Sequence, residues 1–173
     1  MLDLFCYTGG FAVAAAVNGA KYCRGVEIKE EWLDAARKNA ELNDVAEKTE
    51  FVRADAFSAL EDIYNSGERF DIIILDPPSF LKKKESLVSA SKAYGELNLL
   101  AMKTLAEGGV LATFSCSHNM PNETFSAILK QAEEKAGRKF AILKRCRQAE
   151  DHPIARAIPE TEYLKGYFLR EVK

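Results

Sequence analysis

The stretch Phe70-Asp-Ile-Ile-Ile-Leu-Asp-Pro-Pro-Ser-Phe80 constrains the fold more than any other part of the chain. It opens with bulky apolar residues, including three consecutive isoleucines. A run that is apolar on both pleat faces is expected to be a strand buried on both sides, as in the parallel sheet of an α/β protein. The run stops at Asp76, followed by Pro77 and Pro78. Proline has no N–H and cannot continue a ladder, so the chain leaves the sheet here. This sets a carboxylate at the C-terminal edge of a central strand, where open α/β sheets bind ligands. An ordinary rigid turn after a strand end is the other reading of the same residues.

The rest of the chain repeats the pattern. Residues 1–5 form a short apolar strand, the Gly9-Gly10 turn follows, and residues 11–18 make an alanine-rich helix closed by Gly19. A central strand beginning at the first residue suggests that further chain belongs upstream. Strands are expected at 22–26, 50–52, 110–114, 139–146 and 163–172, and helices at 30–42, 56–64, 94–105 and from Pro121 to about Gly137. In the helix at 30–42, Trp32, Leu33, Ala36 and Ala40 are expected to be the buried side. Glu107-Gly-Gly109 reads as the stop and turn after the helix at 94–105. Strand and helix in alternation imply a parallel sheet with helices on both faces. The last two strands are joined only by a loop and should be antiparallel, because a parallel pair needs a crossover.

Acids recur at one edge of this sheet. Glu27 ends the second strand, where a carboxylate can accept from both hydroxyls of a ribose, or can simply precede a helix N-terminus. Asp55 follows the third strand and Phe57 could cover a flat ring; Asp55 is equally placed to cap the helix that starts at Ala56. With Asp76 they make a constellation beside the glycine turn. That turn is neither G-x-G-x-x-G nor a phosphate-binding P-loop, which counts against dinucleotides and triphosphates. Cys116 lies at the same edge on the next strand, among Ser115, Ser117 and His118. A lone cysteine is often a small core residue, but polar neighbours make a reactive thiol a serious option. Lys82-Lys-Lys84 is a solvated loop or a phosphate contact next to Asp76.

Composition bounds the possibilities. With 173 residues there is room for one well-buried domain. No apolar run approaches the roughly 20 residues needed to span a bilayer. The four cysteines lack C-x-x-C spacing and read as reduced cytoplasmic thiols without a metal site. A net charge of −2 excludes a basic surface over the whole domain, so any nucleic acid would be held by local patches or a separate module.

The segments Asp3-Leu-Phe-Cys-Tyr-Thr-Gly-Gly-Phe11, Glu27, Arg53-Ala-Asp-Ala-Phe57, Asp76-Pro-Pro-Ser-Phe80, Ser115-Cys-Ser117 and Glu162-Tyr-Leu-Lys-Gly166 resemble, in order, the catalytic domain of class I S-adenosylmethionine-dependent methyltransferases. More narrowly, they are similar to the bacterial 23S ribosomal RNA cytosine-5 methyltransferases. The resemblance implies a Rossmann-like, mostly parallel seven-stranded sheet with the last strand antiparallel. It implies S-adenosylmethionine as cofactor, 23S rRNA as partner, a cytoplasmic location and no membrane; a homodimer is compatible with it. Such relatives carry an RNA-binding domain and a cofactor-covering segment upstream, so residues 1–173 are expected to be the catalytic domain alone.

By the same resemblance Asp3, Phe5, Tyr7, Thr8, Gly9 and Gly10 would wrap the methionine moiety. Glu27 and Ile28 would hold the ribose, and Asp55, Ala56 and Phe57 the adenine. Asp76 would face both cofactor and target base, and Pro77, Pro78, Ser79, Phe80, Lys82 and Lys83 would contact substrate. Cys116 would be the nucleophile. Phe5 and Tyr7 stand where glycines are common in the wider family. Ser79 stands where some RNA cytosine-5 enzymes carry a second cysteine. The competing readings are a uracil-5 or amino-group RNA methyltransferase and a non-catalytic RNA- or partner-binding module. A nicotinamide dehydrogenase is disfavoured by the absent G-x-G-x-x-G.

Overall fold

In the computed structural model, which describes residues 1–81 and 87–173, strands and helices alternate along the chain. The first half contains β1 (Leu2–Leu4), α1 (Gly10–Val17), β2 (Cys23–Glu27), α2 (Glu30–Leu42), β3 (Thr49–Arg53), α3 (Ala56–Ser66) and β4 (Phe70–Leu75). The second contains α4 (Leu87–Thr104), β5 (Leu105–Ser115), α5 (Asn122–Ala136), β6 (Lys139–Cys146) and β7 (Lys165–Val172). The strands form one seven-stranded sheet in the order β3-β2-β1-β4-β5-β7-β6. β7 runs antiparallel to both its neighbours, and the other pairs are parallel. This is the Rossmann-like methyltransferase architecture expected from the sequence.

Strand order reverses between β1 and β4. β1 pairs with β2 on one side and β4 on the other, so Asp3 lies opposite Gly25 and Ile74. The crevice beyond the carboxyl ends of these strands is the topological switch point of the sheet.

Alternation along each strand divides the core. Leu2, Leu4, Ile73, Leu75 and Leu111 pack with α3, α4 and α5, around the fully buried Tyr94 and Phe125. Met1, Ile74 and Ala112 face the other way with Ala12, Val13 and Ala16 of α1 and Ala40 of α2. Among the described residues only α1 and α2 stand on that second face, and it corrects two expectations. β4 is not buried on both faces throughout: Asp71 is exposed and Ile72 is 40% exposed. Trp32 is half-buried rather than core, with its ring 4.5 Å from that of Tyr7.

The helix expected from Tyr94 begins seven residues earlier, at Leu87. The glycine pair after it is not a turn between elements but an irregularity inside β5. The ladder to β4 shifts between Phe70 and Ile72, and Gly108 takes φ 71. A Cβ on Gly109 would come within 2.9 Å of the Asp71 carbonyl, so only glycine fits against β4. Arg138 pins this bulge. Its guanidinium donates to the carbonyls of Leu105 (2.7 Å) and Ala106 (3.1 Å) and pairs with Glu171, which also accepts from Gly108 N at 2.8 Å. Among the described residues no helix is long and apolar enough to cross a membrane.

Candidate active site

The β1–α1 loop is held through its own backbone groups. Cys6 N donates to Val26 O (3.0 Å), Gly9 N to Cys6 O (2.7 Å), and Asn39 Nδ2 to Thr8 O (2.9 Å). Phe5, Tyr7 and Gly9 have φ of 65°, 51° and 76°. The left-handed region costs a residue with a Cβ roughly 1–2 kcal/mol. Phe5 and Tyr7 therefore keep, at a cost, the backbone that glycines adopt freely at such positions. Compensating contacts are visible: Tyr7 stacks on Trp32, and Phe5 meets the Phe80 ring edge-on with centroids 6.3 Å apart. Gly9 has no substitute, because a Cβ would sit 2.9 Å from the Phe51 ring. A Cβ on Gly10 would meet nothing within 4 Å, so the start of α1 opens on empty space.

The acids of this half answer to backbone N–H groups. Glu27 accepts from Tyr7 N through Oε2 (3.2 Å) and from Ile28 N (2.9 Å) and Lys29 N (3.2 Å) through Oε1. Its carboxylate thus ties the glycine turn to the end of β2. Asp55 is the N-cap of α3: Oδ1 accepts from Phe57 N at 3.0 Å and Ser58 N at 3.2 Å. The capping role left open by the sequence is therefore real, and Asp55 lies two residues beyond Arg53, the ladder partner of Glu27, so both acids stand at the same edge of the sheet. Ala56 is buried, and Phe57 lies half-buried with its ring 6.3 Å from that of Phe80.

Asp3 is 1% exposed. Oδ2 accepts from Ala12 N at 3.2 Å, while Oδ1 is buried without a hydrogen-bond partner among the described residues. Burial pushes its pKa up to about 7, against the Ala12 hydrogen bond and with help from the Asp76 charge. That coupling joins the two halves of the site across the switch point.

On the β4–β5 side the connections are made by side chains. Cys116 is half-buried, with its thiol 3.7 Å from the Pro77 carbonyl. Ser79 and Ser117 share a hydrogen bond of 2.7 Å. Ser117 Oγ lies 3.2 Å from Tyr94 OH, which accepts from Ser115 Oγ at 3.1 Å. This chain of hydroxyls fastens the Asp76–Phe80 loop to the turn after β5, with Tyr94 as its buried hub. Phe80 packs on the Tyr94 ring at 4.8 Å. The Asp76 residue is solvent-accessible, yet desolvation by the surrounding protein pushes its carboxyl upward. The Cys116 thiol is also pushed up, first by burial and then by the Asp76 charge. It rests as a thiol and needs help to ionise.

The structure thus brings Asp3, Glu27, the 5–10 loop, Asp55, Asp76, Pro77, Ser79 and Cys116 to the carboxyl edge of adjacent strands. His118 is exposed and lies on a different cavity, described below. Lys82 and Lys83 lie outside the described residues. Sequence reasoning overlooked Tyr94, which reads locally as the first residue of a helix, and Lys165, whose Nζ donates to the carbonyls of Ser117 and Tyr163 at 2.7 Å each. The one signal for Lys165 was its place in the Glu162-Tyr-Leu-Lys-Gly166 segment.

A crevice of this kind suits a cationic, partly flat ligand. Glu27 ends β2, Asp55 and Asp76 follow β3 and β4 at the same edge, Asp3 is buried beneath with one oxygen unpartnered among the described residues, and the helix start beside it is open. A family model for the methyltransferase domain matches residues 1–160. The chain belongs to this family. The methyltransferase domain is 46% identical over 171 residues to ribosomal RNA large subunit methyltransferase I of Aeromonas hydrophila, covering 98% of this chain and 43% of that protein. It is 44% identical, over the same shares, to the protein of that name from Escherichia coli. The chain therefore spans less than half the length of these curated relatives. Among solved structures, SMU.776 complexed with SAH matches with a TM-score of 0.86 at 28% identity, covering 98% of this chain and 44% of that one. NSun6 from Pyrococcus horikoshii with SFG, at 20% identity and TM-score 0.68 over 98% of this chain and 46% of that one, shares the fold.

Proposed function

We propose that this domain uses S-adenosylmethionine to methylate carbon 5 of a cytosine in the large-subunit (23S) ribosomal RNA, with Cys116 as covalent nucleophile. The observation that carries the reading is the position of the Cys116 thiol. It lies 3.7 Å from the Pro77 carbonyl, at the same carboxyl edge of the sheet as Glu27 and Asp55, with Asp3 buried beneath. The names of the relatives support the RNA substrate, and the SAH in SMU.776 supports the cofactor.

The cofactor supplies a methyl group activated by the sulfonium. Its positive charge suits a crevice rich in carboxylates. In this reading Glu27 accepts from the ribose, Asp55 and Phe57 hold the adenine, and the 5–10 loop wraps the methionine part. Carbon 5 of cytosine is a weak nucleophile. The Cys116 thiolate adds to carbon 6 and electron density moves to carbon 5, which takes the methyl group. Protonated Asp76 donates to ring nitrogen 3 and stabilises the adduct; its raised pKa favours that protonated form. Solvent then takes the carbon-5 proton, the C–H electron pair restores the carbon 5–carbon 6 double bond, and the carbon 6–sulfur bond breaks to release the thiolate. Ser79, hydrogen-bonded to Ser117, holds the loop and offers no second thiol for release. The target base must leave its stack to reach this edge.

The test uses the full-length protein, tritiated S-adenosylmethionine and ribosomal RNA. Cys116→Ala is expected to lose turnover on the order of 10⁴-fold or more, as removal of a covalent nucleophile does. RNA carrying 5-fluorocytosine should trap a protein–RNA adduct that the variant cannot form. A Cys116→Ala protein that methylates at the wild-type rate would sink the cysteine mechanism and favour an amino-group target.

A further inference from the structure

Lys165 is the first residue of β7 and pairs directly with Ser115, the residue before Cys116. Its aliphatic stem is half-buried, and its ammonium donates to Ser117 O on the far side of the thiol and to Tyr163 O, both at 2.7 Å. A cation is thus hydrogen-bonded to the residue next to Cys116. Its placement is set by strand pairing, not by a flexible surface side chain.

We propose that Lys165 is the positioning residue for Cys116: its ammonium clamps the 115–117 turn to β7 and supplies the positive charge under which the thiol gives up its proton to solvent. The inference rests on the reading of Cys116 as nucleophile.

Among the described residues, the charged and titratable groups around the thiol fall on three elements and their flanks. Asp76 follows β4 and opposes ionisation, Tyr94 reaches it from α4, and Lys165 on β7 is the cation that assists. Glu162 adds negative charge beside Lys165. Lys165 also lines a cavity of about 350 Å³ with His118, Asn122, Arg147 and Glu162. Burial holds the Lys165 pKa below its ordinary value and the Cys116 and Glu162 charges only partly oppose this, while the Lys165 charge in turn favours the Cys116 thiolate. A neutral side chain at 165 would leave Cys116 facing Asp76 alone.

The experiment is the pH dependence of iodoacetamide alkylation of Cys116 in the full chain, followed by mass spectrometry of the peptide that carries it. Lys165→Gln should move the midpoint to higher pH and slow alkylation at pH 8 about tenfold, the thiolate loss for one pKa unit. Lys165→Arg, which keeps the charge, should stay near wild type. Glu162→Gln, at an exposed position that folding tolerates, should move the midpoint slightly down. A purely structural lysine predicts the opposite signature: a loosened turn, faster alkylation and an unmoved midpoint. An unchanged midpoint in Lys165→Gln, or an upward shift in Glu162→Gln, overturns the proposal. If Cys116→Ala keeps methylation while Lys165→Gln still shifts the thiol, the nucleophile reading fails and the thiol–lysine coupling stands. If Cys116 is essential and the midpoint does not move, the coupling alone fails.

Discussion

The two sides of the crevice are built by different means. On the β1–β3 side, Glu27, Asp55 and Asp3 all accept from backbone N–H groups, and the loop between β1 and α1 is closed by main-chain bonds. On the β4–β5 side, Ser79, Ser117, Ser115 and Tyr94 bond through their hydroxyls, and Cys116 sits between two members of that network. Backbone-held groups keep their positions whatever the neighbouring side chains are, which suits an invariant cofactor. Side-chain networks can be altered one residue at a time. Asp3 joins the two sides through its charge coupling to Asp76.

Perturbing each side separately tests this contrast. The largest expected effect belongs to Asp3. Its pKa is raised from the ordinary 3.8 to about 7 in the folded protein. The folded state therefore binds a proton that the unfolded state has lost. The associated stability is fully present below about pH 4 and declines as pH rises to 7. At 1.36 kcal/mol per unit the decline is on the order of 4 kcal/mol. Urea unfolding of wild type and Asp3→Asn at pH 5 and pH 7.5 should show the variant gaining relative to wild type at the higher pH. Parallel changes in the two proteins would mean that Asp3 ionises freely.

Next in size is Gly9→Ala. The left-handed φ of 76° and the approach to the Phe51 ring together predict a loss of about 3 kcal/mol in chemical denaturation. Calorimetry should also show weakened S-adenosylmethionine binding. A variant as stable as wild type would show that the loop relaxes around the methyl group.

The smallest effect is expected on the other side. Tyr94→Phe removes the hub hydroxyl and leaves Ser115 and Ser117 each short of a buried partner, a loss of about 1–2 kcal/mol. Cofactor affinity should hold while methylation of RNA falls, because only the thiol-bearing turn loosens. Equal losses in cofactor binding and turnover would erase the distinction between the two sides.

Much of this layout could be read from the sequence, for identifiable reasons. Apolar runs ended by Glu27, Asp76 and the Ser115-Cys-Ser117 cluster placed these groups at strand tips, because a strand's end is marked locally by where its apolar run stops. The antiparallel β7 followed from the length of its connection. The misreadings share one cause. Trp32 looked like core on helical spacing, but its ring serves the Tyr7 turn, a partner 25 positions earlier that spacing does not encode. Ile72 looked buried because its neighbours are apolar, but burial depends on which helices cover the face. Asp55 had two compatible roles, and in the folded chain it caps Phe57 N and Ser58 N.

From the sequence alone came the element order, the parallel α/β class and the identity of the groups at the carboxyl edge. These depend on hydrophobic period, turn residues and proline, all of which act within a few positions. Tertiary structure alone decided which of those groups meet. It brought Lys165 to Cys116 across 49 positions through the pairing of β5 with β7, set Tyr94 between Ser115 and Ser117, and buried Asp3 beside Asp76 where its proton is hard to remove. Strand pairing and burial bring together residues far apart in the chain, and the charge, hydrogen bonding and ionisation of the site follow from that proximity.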